Sequence, residues 1–93
     1  MAGRIEAYMH SDSTTQNKAG CLIKVTCQTN FAAKTQQFIE FSKEIAKYCF
    51  GSGSDKWEDV VAMFPELEIK REALAKELKE KVAIEEIVVV KLV

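Results

Sequence analysis

Ninety-three residues, 47% of them apolar and 29% charged, suffice for one domain (residues 1–93) with a core of modest size. A formal net charge of −1 argues against a nonspecific grip on nucleic acid or an anionic membrane. No apolar run approaches the ~18 residues a membrane helix needs, and the Ala-Gly-Arg-Ile after Met1 lacks the apolar heart of a targeting segment.

In chain order, Gly3 to His10 alternates, with Ile5, Ala7 and Met9 on one side and Arg4, Glu6, Tyr8 and His10 on the other, which predicts a half-buried strand. Ser11 to Gly20 is polar and longer than a tight turn, so it is expected to be a mobile, even disordered, hairpin loop. Leu22, Ile23, Val25 and Cys27 lie in a second strand, Cys21 to Cys27, antiparallel to the first. The apolar period then becomes helical at Phe38, Phe41 and Ile45, so the stretch Cys27 to Lys34 is a strand-to-helix corner on which the rest of the chain turns. Thr29 and Asn30 suit the caps of such a corner. Pattern alone leaves Phe31 open between core and contact, and favours core.

Thr35 caps a helix expected over about 36–50, whose buried stripe is Phe38, Phe41, Ile45 and either Tyr48 or Cys49, with Glu40, Lys43, Glu44 and Lys47 in water. Gly51-Ser-Gly-Ser breaks it. Ser54 or Asp55 is expected to cap a short helix bearing Trp57, Val60, Val61 and Phe64, with Asp55 and Glu58 forming a capping box. Pro65 ends that helix or opens the next, a charged helix over 66–81 with Leu67, Leu74 and Leu78 inward. Its pairs Glu66–Lys70, Glu72–Lys76 and Glu77–Lys81 have the favourable i,i+4 order and mark a wet face. Residues 83–93 make the last strand. Ile87, Val88, Val89 and Val90 run consecutively, so apolar side chains face both sides of the sheet. Either this is a central strand with a partly wet face, or the far face is buried by a second molecule. The fold class is α+β: a three-stranded antiparallel sheet with helices packed on one face, in the order β-β-α-α-α-β.

Bond-making chemistry has little to work with. His10 is the only histidine and reads as an ordinary exposed residue on a strand's polar side. The sequence holds no glycine-rich phosphate loop and no aromatic–basic platform for nucleic acid. Cys21, Cys27 and Cys49 form no CxxC pair, and an odd number without a secretion signal fits a reducing cytoplasm, each thiol being a small buried apolar group. No enzyme activity, metal or cofactor is expected.

Gly20 to Lys34, with Phe38, resembles the signature of translation elongation factor Ts, in which a strand ends in Cys-Glu/Gln-Thr-Asp-Phe-Val-Ala-Arg/Lys and leads into a helix. Cys27, Gln28, Thr29, Phe31, Ala33 and Lys34 match; Asn30 stands for the family's Asp and Ala32 for its Val. The resemblance extends from Gly3 to about Leu92 and implies the first half of the family's core domain, without the N-terminal helical domain, the second half-core or the coiled-coil insertion. In the last strand Lys-Val-Ala-Ile-Glu-Glu occupies the place of the family's Asn-Ile-x-Ile-Arg-Arg, so Glu85 and Glu86 reverse the charge there.

The resemblance also implies a function. The partner would be elongation factor Tu in its GDP-bound form. Phe31 would wedge between two helices of that GTPase near its magnesium site and promote GDP release, with Asn30 beside it and Thr29 as the cap that presents both. The partner-binding set is then Thr29, Asn30, Phe31, Ala32 and Lys34. A homodimer through the sheet face at Ile87, Val88, Val89 and Val90 would restore the family's paired half-cores. The alternative is a recruiting or structural dimerisation module without exchange activity, of phage or mobile-element origin.

Overall fold

Three runs of alternating and β-branched residues form strands in the computed structural model, which describes residues 1–92: β1 (Ala2–His10), β2 (Ala19–Cys27) and β3 (Ala83–Lys91). Val93, the last residue of the expected C-terminal strand, lies outside the described residues. The sheet order is β1-β2-β3, antiparallel throughout. The central strand is therefore β2, and the Val-rich β3 is an edge strand. Pairing runs from Ala2 opposite Cys27 to His10 opposite Ala19, and places Ile23 opposite Ile87 on the other side. Lys24 pairs with Glu86 but Val25 with Ile84, so Glu85 is an extra residue bulged out of β3. Gly3, at φ 148°, permits close contact with β2, because a Cβ there would lie 2.1 Å from the Val25 carbonyl oxygen.

Between β2 and β3 lie a single turn α1 (Asn30–Ala33) and three longer helices, α2 (Gln36–Ser52), α3 (Trp57–Met63) and α4 (Glu66–Leu78). The turn α1 is additional to the three helices expected. It is separate from α2 because Thr35 takes an extended backbone (φ −68°, ψ 148°) and caps α2, its hydroxyl accepting from the Phe38 amide. Gly53, at φ 70°, closes α2 in the left-handed conformation that glycine adopts without strain. The expected box at α3 does not form. Lys56 stands at the cap position, and the Ser54 hydroxyl accepts from the Lys56 amide and donates to Asp59. α4 stops at Leu78 rather than residue 81, because Lys79 turns left-handed at φ 57°.

All the helices pack on one side of the sheet. Cys21, Ile23, Val25 and Cys27 of β2 and Ile87 of β3 meet Phe38, Phe41, Ile45 and Cys49 of α2, with Val60, Leu67 and Leu74 closing the core. Buried Ser42 is satisfied by donating to the Phe38 carbonyl at 2.9 Å. The three thiols are free and buried. Loss of hydration, with the neighbouring Cys21 second, pushes the Cys49 thiol up to about 12, which suits an inert apolar filler.

On β1 the alternation points opposite to a simple amphipathic reading. Tyr8 packs against the core, and its hydroxyl lies 3.1 Å from His10 Nδ1. His10 is half-buried, not exposed as expected, and stacks on Phe50 with centroids 5.1 Å apart. Ile5 and Met9 face away from the helices together with Leu22, Val88 and Val90, all exposed. Ile87 is buried and Val89 half-buried against the core, so of the four residues expected on the free face only Val88 and Val90 belong to it. The hairpin loop is organised by Asp12, whose carboxylate accepts from the Thr14 and Thr15 amides and from Lys18. The Lys18 ammonium, followed by the Thr15 and Thr14 amides, holds that carboxyl well below its usual range. The expected i,i+4 pairs on α4 give way to others. Lys70 reaches Glu44 on α2, and Arg71 pairs with Glu68 while donating to the Val82 carbonyl.

Candidate functional site

The corner begins where β2 runs out of partners. Thr29, extended at φ −130° and ψ 150°, is the N-cap of α1. Its hydroxyl oxygen accepts from the Ala32 amide at 3.2 Å, and its carbonyl accepts from the Ala33 amide at 3.2 Å. The Cys27 thiol donates to the same carbonyl. The turn closes as the Thr35 hydroxyl donates to the Ala32 carbonyl at 2.8 Å.

A second set of bonds comes from far along the chain. One oxygen of Glu80 accepts from the Gln28 and Thr29 amides at 2.9 and 3.0 Å, and the other accepts the Thr29 hydroxyl proton at 2.5 Å. Gln28 returns the contact, its side-chain oxygen accepting from the Lys81 amide at 2.9 Å. The Thr29 hydroxyl and the two amides hold the Glu80 carboxyl below its ordinary range, against a smaller opposing effect of burial. Neither Glu80 nor this role of Gln28 was visible in the sequence. Their partners lie more than fifty positions away, and nothing local marks Lys79-Glu80-Lys81 as other than a charged helix end.

Within the frame, neighbouring side chains of α1 are ~100° apart and face different ways. Ala32 is 3% exposed and sits in the core. Phe31 is 86% exposed. The pattern's preference for a core position is overturned, because Ala32 takes the inward place and turns Phe31 out. Thr29, Asn30 and Lys34 are exposed as well. Of the five expected contact residues four are exposed, and Ala32 is buried. The corner offers an aromatic ring, a neutral amide and an ammonium, which suits contact with another surface. Among the described residues no cluster of His, Cys, Asp and Glu is placed to hold a metal, and no helix is long and apolar enough to cross a membrane.

The chain as a whole has relatives among known proteins. No protein-family model matches the chain. Elongation factor Ts from Koribacter versatilis is 36% identical over 90 residues, which covers 92% of this chain and 39% of the relative. Chloroplastic elongation factor Ts from Galdieria sulphuraria is 35% identical over 82 residues, 85% of this chain and 39% of the relative. This chain is similar to elongation factor Ts. A shorter match, to elongation factor Ts from Rubrobacter xylanophilus, reaches 46% identity over 44 residues, 47% of this chain and 20% of the relative. The chain thus spans under two fifths of the length of these elongation factor Ts relatives.

Proposed function

We propose that this chain is an elongation factor Ts-like module that binds GDP-loaded elongation factor Tu in the cytoplasm and promotes GDP release, without forming or breaking a bond itself. The observation that carries the reading is Phe31, a large ring 86% exposed on a tied-down corner of a signature otherwise close to that of elongation factor Ts. Exposed rings of this kind are the usual anchors of interfaces. Burying a Phe is worth ~2–3 kcal/mol, energy available to displace partner groups that hold nucleotide and magnesium. Linkage makes the effect reciprocal: a factor that loosens GDP is itself loosened by GDP. Asn30, Phe31 and Lys34 form the contact surface, Thr29 presents it and Ala32 anchors it.

The test is release of fluorescent GDP from elongation factor Tu on addition of the protein. Faster release is expected, and Phe31→Ala should weaken half-saturation by roughly 30- to 150-fold. Release unchanged by the wild-type protein would refute exchange. Binding without release would favour the second reading, a recruiting or dimerisation module, which the neutral Asn30 supports because it lacks the family's charge. The exposed Ile5, Met9, Leu22, Val88 and Val90 support a further element of the proposal, pairing of two copies through the open sheet face.

A further inference from the structure

We propose that Glu80 is a positioning residue that, with Gln28, clasps the corner and holds Phe31 in its outward presentation; its role in partner binding rests on the function proposed above. The Gln28 and Thr29 amides lie just past the end of β2, where the strand ladder no longer supplies acceptors. A single carboxylate takes both amides and the Thr29 hydroxyl proton, while Gln28 takes the Lys81 amide. Two chain segments each lend a side chain to the other's backbone. The Thr29 hydroxyl is thereby oriented, because its proton goes to Glu80 and its oxygen is left facing the Ala32 amide. The early end of α4 matters here: the left-handed turn at Lys79 directs Glu80 back to the corner instead of continuing the helix. Released from the clasp, the corner loses these four bonds and an exposed ring is free to fold back on its own surface. Holding it outward beforehand lowers the ordering cost of binding.

The test compares Glu80→Ala and Glu80→Gln with wild type, alone and combined with Phe31→Ala. In Glu80→Ala, amide hydrogen exchange at Gln28 and Thr29 should accelerate at least tenfold while Ile45, in the core of α2, keeps its protection. Glu80→Gln retains an oxygen for the two amides and should fall between. Half-saturation of elongation factor Tu in the GDP-release assay should rise severalfold in Glu80→Ala and not rise further when that change is added to Phe31→Ala. Unchanged exchange at Gln28 and Thr29 in Glu80→Ala overturns the clasp, whatever the nucleotide assay gives. Equal effects of Glu80→Ala with and without Phe31 overturn its action through the ring. A wild-type protein that leaves GDP release unaltered refutes the proposed function and Glu80's share in it, while the exchange measurement still decides whether Glu80 holds the corner.

Discussion

Thr29 joins the two halves of the corner, because one hydroxyl both accepts from Ala32 and donates to Glu80. Thr29→Val keeps the shape and removes both bonds; a loss of about 1 kcal/mol of stability is expected in urea unfolding, the usual cost of a deleted cap. The corner should also respond to acid. Glu80 has a depressed pKa, so its bonds are fully present above the ordinary carboxylate value of 4.5 and fade as pH falls through the lower folded value. Protection of the Thr29 amide, corrected for intrinsic exchange, should be flat from roughly pH 7 to 5 and decline below roughly pH 4. Asn30 stands where the elongation factor Ts signature has Asp. If that contact is buried in a complex, the missing charge is worth about 1 kcal/mol, so Asn30→Asp should speed GDP release roughly fivefold in the assay above.

At the level of elements, the end of α4 combines strain with placement. Lys79 is left-handed at φ 57°, a conformation that costs a residue with a Cβ and that glycine adopts freely. Lys79→Gly should therefore raise the urea midpoint, by the equivalent of about 0.5–1 kcal/mol, and leave the turn intact. α2 is the element against which β1 and β2 pack, and its Phe38 is fully buried. Phe38→Ala should cost about 3–5 kcal/mol, a large fraction of the stability of a domain this small. The surface ion pairs of α4 contribute far less, since exposed pairs seldom exceed about 1 kcal/mol.

Over the whole molecule, one face of the sheet is covered and the other is not. The helices use up the inward residues of all three strands, and Ile5, Met9, Leu22, Val88 and Val90 are left in water. The proposed second copy would cover them. Sedimentation at tens of micromolar should then give twice the mass of one chain, and Leu22→Glu with Val90→Glu should return it to the monomer mass with the helical circular dichroism unchanged. A wild-type protein that sediments as a single chain at that concentration would exclude the pairing.

Much of this was written locally in the chain. Alternation marked β1 and β2, a run rich in Ile and Val marked β3, a shift to helical period after Lys34 marked α2, and Thr29 and Thr35 announced two caps, because each signal depends on neighbours a few residues apart. The signature around Phe31 was legible for the same reason. Packing decided the rest. Alternation says that two sides of β1 differ but not which one meets the helices, and the rings of Tyr8 and His10 were drawn inward by Phe50, leaving Ile5 and Met9 outside. Consecutive apolar residues could not reveal whether β3 was central or at the edge, since strand order depends on pairing between distant segments. Phe31 turned outward because Ala32 found the core and Glu80 came across more than fifty residues to grip Thr29. A contact between remote segments exists only once the chain has closed on itself, which is why the composition of neither segment foretold it.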